Sequence, residues 1–246
     1  MRGPRRLSGR IAGVSHEDEP HDESLSGRLN WLRAGVLGAN DGIVSTAGIV
    51  VGVAGATSDR TSILVAGIAG LAAGAMSMAV GEYVSVSTQR DSEKAMLALE
   101  KRELREMPGE ELDELTEIYE DKGLPPQLAR EVAVALTEKD ALAAHADAEL
   151  GIDPDDLTNP WQAAIASFVS FTVGALLPLA AVLLPGPSWR VPVTFVAVLI
   201  ALAVTGHVSA RLGSARPAPA VVRNVIGGAI AMAITFAVGS LVGGAV

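Results

Sequence analysis

The sequence contains no cysteine, and only 4% of its residues are aromatic and 19% charged. The absence of cysteine excludes a disulfide framework, a thiolate metal site and a cysteine nucleophile. Any bound metal must therefore take oxygen, nitrogen or thioether ligands. With 49% hydrophobic residues, the chain is too apolar for an ordinary soluble domain.

The common catalytic motifs are also missing. The sequence has no Gly-x-x-x-x-Gly-Lys phosphate loop, no Gly-x-Ser-x-Gly and no His-Glu-x-x-His, so neither a nucleotide-driven pump nor a hydrolase is indicated. A ferritin-like di-iron oxidase would need Glu-x-x-His pairs, but Leu142 stands three positions before His145. No basic, aromatic-rich stretch suggests nucleic-acid binding. We expect a protein that is not an enzyme and binds no nucleic acid.

Five apolar runs are long enough to cross a bilayer. They lie at residues 32–56, 61–87, 161–184, 191–212 and 221–246. They predict an all-α integral membrane protein, with transmembrane helices 1 and 2 in residues 29–88 and helices 3 to 5 in residues 160–246. Residues 1–28 have no apolar core, so they are not a signal peptide, and we predict a disordered cytoplasmic tail.

Glycine pairs four residues apart recur in the first two runs, a spacing that lets helices approach closely in lipid. The pairs are Gly38 with Gly42, Gly48 with Gly52, and Gly70 with Gly74. We therefore predict that the first two helices pack tightly as an antiparallel pair.

Residues 89–159 differ from the rest, with 20 acidic and 8 basic side chains and a net charge of −12. Apolar residues at helical spacing predict three short helices, ended by Pro108, Gly123 and Gly151. Their predicted ranges are 89–107, 110–122 and 126–150. Because each apolar stripe is thin, we expect this insert to need a second copy of the chain or bound ions for full order.

The distribution of basic residues predicts the orientation. With the N terminus and the insert in the cytoplasm and the C terminus outside, the outer loops carry only Arg60 and Arg190. All other bases lie in the tail, the insert, the start of the first span and the connection between the fourth and fifth spans. This arrangement agrees with the excess of positive charge on the cytoplasmic side of membrane proteins.

Asp41 lies well inside the first apolar run, roughly 13 Å from its cytoplasmic end. A carboxylate at that depth is expensive unless it is paired, protonated or bound to a cation. Met78 on the second helix lies at about the same depth, and Glu82 follows one turn nearer the cytoplasm. Carboxylate with thioether favours a divalent transition metal such as iron over calcium or magnesium. The simpler interpretation is that Asp41 hydrogen-bonds another helix and Met78 fills the core.

Six side chains of the insert are candidates for a metal site: Glu100, Glu103, Glu111, Glu114, Glu149 and His145. The first four form two pairs with three-residue spacing, which places both carboxylates of a pair on one helical face. Converging carboxylates repel one another unless a cation lies between them. A solvated glutamate-rich face is the alternative, and it is the more common case.

Two stretches resemble the vacuolar iron transporter (VIT) family: LGANDGIVS from Leu37 to Ser45, and GAMSMAVGEYVSV from Gly74 to Val86. The resemblance extends from about Leu29 over nearly the whole chain, through five spans and an acidic insert that includes LTEKDAL at residues 136–142. Only the N-terminal tail falls outside it.

This resemblance implies a homodimer with its translocation path between the subunits, moving ferrous iron, and often manganese or other divalent metals, out of the cytoplasm in exchange for protons. It implies that Asp41 handles ion and proton, that Met78 is the pathway methionine, and that Glu82 is the acid of a Gly-Glu-aromatic motif. The resemblance also implies a metal-binding role for the insert glutamates, which fall near the positions of the family's metal-binding glutamates. His145 and Ala146 stand where some relatives have methionines.

We therefore expect a proton-coupled divalent-metal antiporter, with no permanently bound cofactor because the metal is the substrate. Its expected partners are a second copy of the chain, membrane lipid, divalent metal ions and protons. No organellar signal is evident, so a bacterial plasma membrane is the expected location. The alternative is a membrane-anchored metal sensor or buffer, but an anchor needs no intramembrane acids.

Overall fold

The computed structural model describes residues 25–245. Seven α-helices follow one another, and the described residues contain no strand. They are α1 (Leu25–Ala56), α2 (Arg60–Glu106), α3 (Pro108–Asp121), α4 (Pro126–His145), α5 (Pro160–Leu183), α6 (Arg190–Leu212) and α7 (Pro217–Ala245). A π-helical turn, Ala146–Leu150, continues α4, and a 3₁₀ turn, Pro187–Trp189, precedes α6.

Five of these helices, α1, α2, α5, α6 and α7, are long and apolar enough to cross a membrane. The prediction of an all-α, multi-pass membrane protein is therefore confirmed. The predicted tail, residues 1–28, lies mostly outside the described residues. Its predicted end is wrong by four residues, because α1 already begins at Leu25.

The second span and the first insert helix form one continuous helix, α2, of 47 residues. The sequence predicted a break near residue 88, where the composition turns from apolar to charged. That prediction is wrong because residues 82–107 contain neither proline nor glycine, so nothing in the backbone ends the helix there. The membrane part and the insert are thus connected by one rod, roughly 70 Å long.

The first helix, α1, lies at the centre of the membrane part. Its buried residues Ile43, Ala47 and Val50 belong to a core that also includes Leu179 of α5 and Met232 of α7. The helices around α1 therefore pack against it from several sides.

The glycines of α1 bring it close to α5 and α7. A methyl group added at Gly42 would lie 2.2 Å from the carbonyl oxygen of Phe171 in α5, and one at Gly52 would lie 3.2 Å from that of Thr235 in α7. Of the predicted pair on α2, Gly70 faces α1 at Ile49, whereas Gly74 faces Phe171 of α5. The prediction that these glycines serve a tight α1–α2 pair is therefore wrong for α1, because its glycine faces are covered by later helices.

The insert consists of the far half of α2 together with α3, α4 and the π turn. Leu115 of α3 and Ala129 and Ala133 of α4 are fully buried. Gly123 and Gly151 have φ angles of +100° and +64°, the left-handed conformation typical of helix ends. The predicted single helix over residues 126–150 is interrupted, since Asp140 has non-helical angles and the last turn is π-helical.

Candidate metal-binding sites

Three buried side chains meet inside the insert: Glu100 of α2, Glu111 of α3 and His145 of α4. The Nδ1 atom of His145 lies 3.1 Å from Oε1 of Glu100 and 3.6 Å from Oε2 of Glu111. The relative exposure of the three residues is 3%, 5% and 0% in that order. One possible ligand atom from each lies within 4.8 Å of the others, a separation that a single metal ion can bridge.

The connections between α2, α3 and α4 explain why these residues meet. Only Met107 separates α2 from α3, so α3 folds back and brings Glu111 towards Glu100. The far end of α4 and its π turn then supply His145. Three helices of the insert thus contribute one side chain each, which could not be read from the spacing within any one helix.

The other predicted insert residues surround this trio and act on it through their charges. Burial, followed by the carboxylates of Glu149, Glu111 and Glu103, raises the pKa of Glu100 to about 7. Burial raises the pKa of Glu111 as well, helped first by the charge of Glu114. The charges of the remaining predicted glutamates, Glu103, Glu114 and Glu149, therefore act on the trio.

Burial and nearby carboxylates also shift the pKa values of Glu114 and His145. Burial, then the charges of Glu149 and Glu103, raises the pKa of Glu114. Burial lowers the pKa of His145, against the opposing charge of Glu149. Desolvation thus favours the neutral imidazole, which is the form that coordinates a metal.

Within the part of the chain that the structure describes, three buried atoms of the trio lack hydrogen-bond partners. Among the described residues, neither ring nitrogen of His145 nor Oε1 of Glu100 has a hydrogen-bond partner, since the 3.1 Å approach lacks hydrogen-bond geometry. Buried polar atoms without partners are destabilising, and repelling carboxylates add to this. Oxygen and imidazole ligands suit a borderline divalent cation such as Fe²⁺ or Zn²⁺.

A second candidate site is a cavity of about 430 Å³ in the membrane part, between α1, α2 and α7. Its polar lining and its thioether come from Asn40, Asp41, Met78, Arg223 and Asn224. Asp41 and Met78, predicted to lie at one depth, thus face the same space. The hydroxyl of Ser45, one turn along α1, donates a hydrogen bond to Oδ1 of Asp41 and orients the carboxylate.

Glu82 lies outside this cavity lining. It is 8% exposed, and its Oε2 lies 3.6 Å from Nη2 of Arg33 on α1. It follows Met78 by one helical turn towards the insert. Of the three predicted pathway residues, the structure therefore brings two into one cavity and places the third on the insert side of them.

Sequence reasoning missed several polar residues of these regions. Arg33 and Arg223 were counted only for the orientation of the chain, although one pairs with Glu82 and the other lines the cavity of Asp41. Glu93 of α2 was missed too: its carboxylate is buried and accepts hydrogen bonds from Gln89 and Thr158.

The signal for Glu93 was present in the spacing. Glu82, Glu93 and Glu100 are 11 and 7 residues apart, which is close to three and two helical turns, so they lie along one face of α2. All three are buried. This line of acids becomes visible only when α2 is treated as one helix.

The comparison with known families agrees with this architecture. A model described as the VIT family matches residues 32–240, which include the insert and most or all of each spanning helix. The chain belongs to the VIT family. The match covers most of the chain and leaves out the N-terminal tail.

Several curated proteins are similar to this VIT family member over most of its length. A protein of Acanthamoeba castellanii named vacuolar iron transporter is 44% identical over 226 residues, covering 92% of this chain and 83% of the relative. Vacuolar iron transporter homolog 2.1 of Arabidopsis thaliana is 39% identical and covers 89% and 84%, respectively. VIT-like transporter 1b of Glycine max is 38% identical and covers 88% and 78%.

Proposed function

We propose that this protein carries a divalent transition metal, Fe²⁺ above all, out of the cytoplasm in exchange for protons. The observation that supports this most is the cavity in the membrane part that is lined by both Asp41 and Met78. An acid inside a spanning helix marks an ion or proton path by default. Relatives named vacuolar iron transporter support iron as the cargo.

Asp41 supplies the exchange chemistry in this proposal. A bound dication disfavours protonation of the carboxylate that holds it, so proton and metal compete for one group. The hydroxyl of Ser45 holds one carboxylate oxygen in place. Binding the metal on one side and a proton on the other then gives antiport without any nucleotide.

Met78 supplies selectivity. Thioether sulfur is a soft ligand that calcium and magnesium do not favour, whereas iron and its neighbours accept it beside a carboxylate. Manganese and other divalent transition metals are therefore proposed as further substrates, and alkaline-earth ions are not.

The insert collects metal in this proposal. Glu100, Glu111 and His145 form a buried trio with a separation fit for one ion, and Glu103, Glu114 and Glu149 add negative charge around it. Glu100 of the trio and Met78 lie on the same continuous helix, about 33 Å apart along its axis. Metal released by the insert therefore reaches the membrane part at the end where Glu82 lies.

We infer that the insert is cytoplasmic and that the chain forms a homodimer. The orientation follows from the basic residues. Exposed apolar side chains on α2 and α7, such as Val80, Val84, Ile230 and Ile234, need lipid or a second subunit to cover them. A bacterial plasma membrane stays the predicted location, whereas the named relatives come from an amoeba and from plants.

The second candidate function is a membrane-anchored metal sensor or buffer. The buried trio of the insert favours it, because such a site could act without transport. The two functions differ at Asp41, which an anchor does not need.

The test is uptake of Fe²⁺ into proteoliposomes with and without an imposed pH gradient. The proposal expects uptake that depends on the gradient, is lost in Asp41→Ala and is kept in Asp91→Ala, a control at an exposed acid of the insert. Metal binding without movement under any gradient would favour the sensor or buffer.

A further inference from the structure

The pairing of Arg33 with Glu82 adds an element to the transport path. We propose that Arg33 is a displaceable counter-ion. It pairs with Glu82 when no metal is bound there and so lowers the affinity of the transport path for the metal. This inference rests on the function proposed above. It assigns Arg33 a positioning role, since the guanidinium acts through the Glu82 carboxylate.

The ion pair is loose. Its separation of 3.6 Å between Arg33 Nη2 and Glu82 Oε2 exceeds the roughly 2.8 Å of a charge-assisted hydrogen bond. Oε2 of Glu82 has no hydrogen-bond partner among the described residues. The contact is therefore a charge attraction without directional bonding, which a competing cation can break.

The two partners differ in their access to water. The side chain of Arg33 is 57% exposed, whereas that of Glu82 is 9% exposed. The exposed guanidinium of Arg33 can be hydrated when it separates from Glu82. Glu82 cannot leave its buried position, so whichever cation lies nearby must compensate its charge.

An arriving dication must therefore replace Arg33. The two positive charges repel each other, so metal bound at Glu82 drives the guanidinium outward. Once the metal moves on towards Met78 and Asp41, Arg33 returns and the buried carboxylate is again compensated. Such competition keeps binding weak enough for the ion to leave, which conduction through successive sites requires.

Transport kinetics test this role. For Arg33→Gln we expect the KM for Fe²⁺ to fall about threefold, the effect expected of an ion pair with one exposed partner, and the maximal rate to fall because release slows. The KM of Arg33→Lys should lie between those of the natural chain and of Arg33→Gln, because lysine keeps the positive charge on a shorter side chain. Arg211→Gln, at an exposed arginine near the end of α6, is the matched control and should leave the KM unchanged.

A purely structural role predicts something else. Arg33→Gln would then lower the yield of folded protein and the maximal rate without lowering the KM, and that result would overturn the inference. An unchanged or higher KM overturns it as well. If Arg33→Gln does not fold, the KM of Arg33→Lys decides: a value below that of the natural chain supports the role, and an equal or higher value contradicts it.

The proposed function and this inference fail separately. If the natural chain moves no iron, or moves it equally with Asp41→Ala, the transport function fails and Arg33 has no role in it. If the natural chain moves iron in an Asp41-dependent way but the Arg33 variants leave the KM unchanged, only the counter-ion role is lost.

Discussion

Nδ1 of His145 lies 3.1 Å from Oε1 of Glu100, with both side chains removed from water in the insert. Burial lowers the pKa of the imidazole, and burial with nearby carboxylates raises the pKa of Glu100 to about 7. Near neutral pH the folded protein therefore holds a neutral imidazole beside a carboxyl group that is partly protonated. A divalent cation can take the place of that proton, because both nitrogen and oxygen are then available as ligands.

Metal binding to the insert should weaken as the pH falls below 7. Protons compete for Glu100, whose pKa is about 7, and for Glu111 and Glu114, whose pKa values burial also raises. Titration of the purified protein with Fe²⁺ under anaerobic conditions at several pH values between 5 and 8 measures the effect. A pH-independent affinity over this range would contradict the buried site.

The stability of the metal-free protein should change with pH in the opposite direction. The pKa of Glu100 is raised in the folded state from its ordinary value of 4.5 to about 7, so the folded state binds the proton more tightly than the unfolded state. The resulting stabilisation is present below pH 4.5 and is lost as the pH rises through 7. Thermal unfolding of the Glu100→Gln variant should lack this contribution, since glutamine stays neutral.

Replacing His145 should weaken metal binding without affecting the membrane part. We expect His145→Ala to lower the affinity of the insert for Fe²⁺ by about tenfold or more, since a direct ligand contributes at least as much as an outer partner. His207→Ala, at an exposed histidine of α6, is the control and should bind like the natural chain. Equal affinities for both variants would remove His145 from the site.

Ser45→Ala should slow transport without abolishing it. The variant removes the hydrogen bond from the Ser45 hydroxyl to Asp41, worth about 1 kcal/mol or roughly a fivefold change in an equilibrium. Ser77→Ala removes an exposed hydroxyl from α2 and should leave uptake unchanged. A complete loss of uptake in Ser45→Ala would give Ser45 a larger role than orienting the carboxylate.

The close approach of α1 to α5 should make Gly42 intolerant of a side chain. A methyl group there would lie 2.2 Å from the Phe171 carbonyl oxygen, so Gly42→Ala must push the helices apart and should destabilise the fold by about 1–3 kcal/mol. A methyl group at Gly81 of α2 meets no atom within 4 Å. Thermal unfolding in detergent should therefore show a lower midpoint for Gly42→Ala and an unchanged or higher one for Gly81→Ala.

Much of this architecture follows from the sequence because it depends on local properties. The five spans follow from uninterrupted apolar runs, and the depth shared by Asp41 and Met78 follows from the fixed rise of two antiparallel helices. Three-residue spacing placed the insert glutamates on common faces, and Gly123 and Gly151 end their helices through left-handed angles.

What escaped prediction depends on contacts between distant parts of the chain. The glycines of α1 could have served any neighbour, and only the packing shows that Gly42 faces α5. The continuity of α2 was missed because a change in polarity was treated as a helix end. Arg33 and Glu82 are 49 positions apart, and no periodicity within one helix indicates such a pair.

The central claim, exchange of metal for protons at Asp41, is tested most directly by following both ions at once. Proteoliposomes that contain a pH-sensitive dye are supplied with external Fe²⁺, and iron uptake and internal pH are recorded together. The account predicts that iron entry drives protons out, raising the internal pH, and that Asp41→Ala loses both signals. Iron entry without proton movement, or coupled movement that persists in Asp41→Ala, would contradict it.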